Sequence, residues 1–293
     1  MMTKFAIAIA ALVVLIGTPA FAADMAVKAP PPPTAPVFSW VGGYAGVELG
    51  AKWTDTTWTT TSLSAPPLTP VIDSSSPRND DPSGFRWGGY VGYNWQLLPR
   101  WLWGVEADWA GANKTATAAG IPGCTILCIA GFPGPQADTS SVKMGWDVSI
   151  RARLGYLVTP DLLAYATGGI SWQEVEASAT CAHSLVDPLC VVVAGNPAVT
   201  ATDTTILTGW TVGGGLEYRV YGNWLLRGEY RYSNYGTWTG DVLSLSVPAS
   251  QATVGHSLKV TTQIATGGIT YKFPRFALRA ARPISPTTSC ASD

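Results

Sequence analysis

Two histidines and five cysteines are the side chains of this chain best suited to metal or acid–base chemistry, and their spacing argues against both. Cys124, Cys128, Cys181 and His183 form the one combination that could hold zinc, but metal-binding pairs usually have two intervening residues, whereas these have three and one. In an oxidising exterior, Cys124 with Cys128 and Cys181 with Cys190 are candidates for local disulfides, and Cys290 is left over. His183 and His256 read as ordinary loop residues with no fixed partner, and G-x-S-x-G, H-E-x-x-H and P-loop signatures are absent. No catalytic, cofactor-binding or metal-binding residue is therefore expected, and the chain is not expected to be an enzyme. A net charge of −1 with 13% charged residues excludes a basic field for nucleic acid.

The charged residues recur on alternate positions of extended segments. Glu48, Lys52, Arg86, Glu106, Asp108, Lys143, Asp147, Arg151, Arg153, Glu217, Arg219, Arg227, Glu229, Arg231 and Lys272 share one face, and Trp, Leu, Val and Tyr share the other. Period-two alternation is the signature of strands. It begins at Phe85 (Phe85, Trp87, Gly89, Val91, Tyr93, Trp95), at Trp101, at Met144 and at Thr208. In the third run Met144 falls with Trp146 on the apolar face and Lys143 on the polar one. Segments 41–53, 162–173, 224–233 and 258–273 repeat the pattern less cleanly. In the last, Val260 and Ile264 fall on the wrong face, which either a bulge or a strand top beyond the lipid explains. Eight strands result.

Connections alternate in length. Leu97–Arg100, Leu157–Asp161 and Tyr221–Asn223 are tight turns; 54–84, 110–141, 174–204 and 234–257 read as long loops rich in Thr, Ser, Ala and Pro. Short turns opposite long external loops are the pattern of an all-β, eight-stranded antiparallel up-and-down transmembrane barrel. With the chain starting in the periplasm, Trp53, Trp87, Trp109, Trp146, Trp172, Trp210 and Tyr232 fall at outer strand ends. Trp95, Trp101, Trp103, Tyr156, Tyr218, Trp224, Tyr271 and Phe273 fall at inner ends. Trp87 to Trp95 spans roughly 26 Å of strand, or about 20 Å along the membrane normal, near the ~25 Å apolar band between aromatic girdles.

An eight-stranded barrel is filled by its own side chains, so charges of both signs inside it are expected to pair and plug the lumen. A narrow ion-selective channel is the alternative. A secreted soluble barrel carrying a small ligand, with its apolar face inward, is the competing class.

The ends of the chain carry other signals. Lys4, the apolar run Phe5 to Ile16 and Ala20-Phe21-Ala22 predict a signal peptide over residues 1–22. APPPPTAP at 29–36 predicts a Pro-rich periplasmic linker over 23–39, ahead of a barrel at 40–273. Residues 274–293, with three Arg and three Pro, are expected to be a disordered tail.

Several motifs together carry a family resemblance: GWDVSIRARLGYLVTPDLLAYATGGISW (145–172), GWTVGGGLEYRVYGNWLLRGEYRYSNYG (209–236), YKF at 271–273, and ADMAVKAPPPP followed by FSWVGGYAGVELG. The chain resembles the porin-like outer-membrane immunogenic proteins, also called RopB-type, over most of residues 23–273. The resemblance implies an OmpA-like eight-stranded barrel in the cell outer membrane, with surface-exposed loops and a role in envelope integrity or host contact. Implied partners are outer-membrane lipid, lipopolysaccharide and the barrel-assembly machinery, with haemin or host surface molecules as alternatives. Family members end at a terminal Phe like Phe273, whereas this chain continues to Asp293.

Overall fold

The computed structural model describes residues 38–64, 71–112, 114–124, 138–181, 199–242 and 253–274. The segment read as signal peptide, the linker up to residue 37 and the tail from residue 275 lie outside them. Ten strands form: β1 (Gly42–Ser64), β2 (Arg78–Asn79), β3 (Ser83–Leu98), β4 (Trp101–Gly111), β5 (Lys114–Ala119), β6 (Thr139–Thr159), β7 (Leu162–Cys181), β8 (Val199–Tyr221), β9 (Trp224–Val242) and β10 (Thr253–Lys272). All pairings are antiparallel, and the order β10-β9-β8-β7-β6-β4-β3-β1 closes on itself because β10 also pairs with β1. Eight long strands thus form a closed ring with no free edge in its lower half.

The three short connections shrink to two residues each: Pro99–Arg100, Pro160–Asp161 and Gly222–Asn223. Gly222 takes a positive φ of 53°, which a side chain would oppose.

The expected long loops are the main correction. Much of 54–84, 110–141, 174–204 and 234–257 is strand: β1 runs on to Ser64, β7 to Cys181, β9 to Val242, and β8 starts at Val199. A 23-residue strand such as β1, at about 3.3 Å per residue and a 35–45° tilt, climbs roughly 55 Å, about twice the apolar band. Thr and Val, common in these stretches, favour extended backbone. On β6, β7 and the top of β10 their alternation is polar outward and apolar inward, and on β1 Thr lies on both faces around the inward Trp58, so they do not register as spanning strands.

Two register shifts accompany that reversal. A bulge between Met144 and Asp147 flips the parity of β6, so Met144 points inward at 1% exposure and Lys143 points out. This overturns the expected placement of both residues. A second shift, opposite Lys259 and Thr261, flips β9 at Tyr235–Gly236, where Gly236 has a φ of 71°. Strand β10 itself keeps its alternation, and Val260 and Ile264 are inward and buried. Val260 belongs to the strand top.

Candidate functional site

The inward faces of the eight strands converge on one ion-pair network. Among the described residues, six buried cations (Lys52, Arg86, Arg151, Arg153, Arg227, Arg231) meet six buried carboxylates (Glu48, Glu106, Asp108, Asp147, Glu217, Glu229). Arg86, with no solvent exposure, bridges Glu48, Asp108 (2.7 Å) and Asp147 (2.8 Å). Asp147 also receives Lys52 at 2.9 Å, and Asp108 receives Arg231 at 2.8 Å. Below them, Glu106 accepts a two-pronged pair from Arg227, both at 2.7 Å, and a third bond from Arg151 at 2.6 Å. Arg153 pairs with Glu217 at 2.7 Å, and Glu229 is bound by Arg151 and Arg227. Arg151 joins the two halves, because it contacts Glu106, Asp108 and Glu229. Equal numbers of opposite charges, removed from water together, leave no net charge to be solvated.

Three tyrosines enter the same network, and sequence reading passed them over. The Tyr44 hydroxyl donates to Glu106 (2.8 Å), Tyr165 donates to Glu229 (2.8 Å), and Tyr90 is bonded to Thr270 (2.6 Å). The Arg153 guanidinium lies 3.8 Å from the Tyr165 ring centroid and that of Arg227 lies 4.2 Å from Tyr90, distances at which a cation is held by a ring face. Each ring covers a glycine directly across the ladder: Tyr44 over Gly92, Tyr90 over Gly46, Tyr165 over Gly215. The detectable signal was parity, since each Tyr and its Gly fall on the charged face of its strand.

Below and above the ionic layer the interior is apolar. At the short-turn end, Leu102, Leu163 and Leu225 pack with Trp40, Val41, Phe38 and Leu157. The Trp40 indole donates to the Pro160 carbonyl at 2.9 Å, and the Arg219 guanidinium stacks 4.7 Å from the Phe38 ring. At the tall end, Trp58, Val142, Met144, Val175, Leu258 and Val260 form a core to which Ile121 and Cys124 add from above.

Some expected lumen charges stand elsewhere. Arg219, about one-third exposed, pairs with Asp161 at the short-turn rim instead of joining the network, because it lies below the ionic layer, level with Leu225. Lys143 pairs with Glu176 on the outer surface (3.1 Å). Lys272 does point inward, to the Gly42 carbonyl. His256 is not a loop residue: it lies in β10, fully buried between Trp58 (5.2 Å) and Trp238 (4.7 Å). Burial lowers its pKa, outweighing the carboxylates of Asp203 and Asp241. Cys124 is buried and disulfide-bonded; Cys128, Cys190, His183 and the Cys181 side chain lie outside the described residues. No group of three potential metal ligands occurs among the described residues.

Residues 8–273 match the family described as outer membrane protein beta-barrel domain. The chain belongs to that family. It is 32% identical over 218 residues to the 31 kDa outer-membrane immunogenic protein of Brucella melitensis, covering 73% of this chain and 80% of the relative. It is 28% identical over 228 residues to the 25 kDa outer-membrane immunogenic protein of Brucella abortus, covering 75% and 79%. Among solved structures, the outer membrane protease OmpT of Escherichia coli aligns at 13% identity and a TM-score of 0.48, over 79% of this chain and 97% of that one.

As an outer-membrane barrel the chain has lipid around its lower half, and its outward residues fit that solvent. No described helix is long and apolar enough to cross a membrane, and the strands do so instead. Trp87, Trp101, Trp109, Trp210 and Trp224 are 39–56% exposed, and Trp95, Trp146 and Trp172 are partly so. Six of these eight pair across strands: Trp87 with Trp109 (5.7 Å), Trp95 with Trp103 (4.4 Å), Trp101 with Tyr156 (5.0 Å), Trp210 with Tyr232 (5.5 Å) and Trp224 with Tyr271 (5.0 Å). Each contact joins rings assigned to the same end of their strands.

Proposed function

We propose that this protein is a non-conducting structural barrel of the outer membrane that displays a tall, rigid β-wall at the cell surface. The observation that carries the reading is the balanced ionic layer of six cations and six carboxylates in the lumen. A passing ion would have to break several buried pairs, each costing about 3–5 kcal/mol when one partner is left alone. The apolar layers around Trp40 and around Trp58 add barriers that would have to be wetted. In this reading the lumen charges hold the strands in one register, and the aromatic belts anchor the barrel at the two interfaces.

The relatives' name, outer-membrane immunogenic protein, supports outward display of the strand tops. An enzymatic role draws no support from the lumen, where every carboxylate of the network is engaged by a cation. Haem ligation draws none from His256, whose ring is enclosed by two indoles. The test is reconstitution into planar bilayers. Closed traces with rare brief openings are expected; a stable conductance in most insertions overturns the proposal.

A further inference from the structure

Toward the tall end the ring of strands is interrupted at two places. The β7–β8 and β9–β10 ladders run on to Cys181–Val199 and Val242–Val254, but the β8–β9 ladder stops at Trp210–Asn234. Among the described residues, no ladder joins 199–209 of β8 to 235–242 of β9, and the side-chain bonds between these strands, from Thr211 to the Tyr232 carbonyl and from Ser233 to Thr211, lie lower. The other interruption falls between β1 and β5, because β3 leaves β1 at Trp53 and β5 pairs with β6. That one is stitched. Arg78 donates to the Ala119 and Gly120 carbonyls (3.2 Å each), the Thr60 N–H to the Ser76 hydroxyl (2.9 Å) and the Asp73 N–H to the Gly123 carbonyl (2.9 Å).

His256 stands at the unstitched seam. It faces Gly240 in the β9–β10 ladder, and a Cβ on Gly240 would meet Asp203 Oδ2 of β8 at 2.8 Å and His256 Cε1 at 2.9 Å. The ring and the carboxylate thus rest against the same bare patch of β9. The ring has no solvent exposure, and neither Nδ1 nor Nε2 is hydrogen-bonded. A neutral imidazole tolerates enclosure between the Trp58 and Trp238 rings. An imidazolium carries a full charge and two N–H donors, and is far costlier to keep unbonded and away from water.

We propose that His256 is an acid latch: when its ring takes up a proton, the tall half parts along the β8–β9 seam and the imidazolium reaches water. The groups that face the ring are few. Asp203 of β8, Asp241 of β9 and the Gly240 backbone favour the charged form, and burial outweighs them. β1 brings Trp58 and Thr60, and the neighbours on β10 are Val254 and Leu258, none of them charged. The β1–β5 side is bound by hydrogen bonds, whereas the β8–β9 side is held by the packing of Leu207, Tyr235 and Val242. Opening there breaks no ladder. The two parts that separate, β5 to β8 on one side and β9, β10 and β1 on the other, keep their own pairings, so the movement is a reversible hinge above Trp210 and Asn234 and not unfolding.

Hydroxyl-radical footprinting of the folded protein in detergent micelles, read by mass spectrometry at about pH 7.5 and about pH 5, either side of the ordinary histidine value, supplies the test. At the lower pH, oxidation of Leu207, Trp238 and Val242 should rise several-fold. Ile121 and Val142 beside the stitched side should rise less, and Leu102 and Leu163 in the short-turn core should stay protected. Returning to the higher pH should restore the first pattern. His256→Phe should remove the rise; if that variant does not fold, His256→Gln, which also cannot take a charge, replaces it. Equal oxidation at the two pH values, an equal rise at Ile121 and Val142 or in the short-turn core, or a rise that persists in the uncharged variants would each overturn the proposal.

Discussion

Glu106 is the place to perturb the lumen. It is 1% exposed and accepts two bonds from Arg227, one from Arg151 and one from the Tyr44 hydroxyl, with Arg153 at 3.5 Å. Glu106→Gln keeps the shape but leaves three guanidinium groups around a neutral amide whose nitrogen must face one of them. Breaking a buried pair on one side costs about 3–5 kcal/mol. With a urea slope of about 2 kcal/mol/M, the unfolding midpoint should fall by about 1.5–2.5 M, read by tryptophan fluorescence in detergent micelles. Removing Arg227 as well, in Glu106→Leu/Arg227→Met, restores equal charge and should recover part of that loss, so that the two changes couple by more than about 0.5 kcal/mol. Glu176→Ala, which breaks the half-exposed pair with Lys143, is the control and should cost about 0–1 kcal/mol. A Glu106→Gln barrel within about 1 kcal/mol of the parent would refute the argument, because it would mean that water already fills the lumen.

Three further outcomes test other layers. Gly92→Ala puts a methyl group about 2.4 Å from the Tyr44 ring and hydroxyl; overpacking of this kind should cost about 1–3 kcal/mol and weaken the Tyr44–Glu106 bond, seen as a lower melting temperature. Trp58→Ala empties the upper core and should cost about 3–5 kcal/mol, with protease cleavage appearing in the strand tops before the membrane band. Burial lowers the His256 pKa, so the unfolded chain binds its proton more readily than the barrel does. Stability should therefore be full above about pH 6.5 and fall as pH drops below it, and His256→Phe should flatten that slope. The facing carboxylates, Asp203 and Asp241, oppose the shift, and Asp203→Asn should steepen the loss.

The alternation of Trp, Leu and Val against Arg, Glu and Asp gave up the eight staves and the tight turns because, inside a bilayer, one face must satisfy lipid and the other must not. The same rule misled where its premise lapsed. At Met144–Trp146 a single bulge reverses parity, and no local residue signal separates a bulged strand from a straight one, so Lys143 went to the wrong face. Arg219 lies on the correct parity but below the ionic layer, at the short-turn rim, a matter of height that alternation cannot encode. The inward tyrosines were hidden differently: Tyr44, Tyr90 and Tyr165 look like interfacial aromatics until their ladder partners, Gly92, Gly46 and Gly215, are known.

The reversal of polarity along several strands marks where the lipid band ends toward the tall end of the barrel. Where lipid lies outside, burial of apolar groups is provided by the membrane, and the interior can be ionic: Glu48 and Lys52 on β1, Asp147 and Arg151 on β6, Glu229 and Arg231 on β9. Where water lies outside, the same ring can stay folded only by burying apolar groups within itself, and it does so with Trp58 on β1, Val142 and Met144 on β6, and Val254, Leu258 and Val260 on β10. The change falls between Thr56 and Trp58 on β1 and at Trp146 on β6, where the bulge turns Met144 inward, and on β9 the parity shift at Gly236 comes soon after Tyr232. What faces out and what faces in therefore change within a few residues of each other on these strands. A soluble carrier barrel would have no reason to exchange its inside for its outside along β6, β7, β9 and the top of β10.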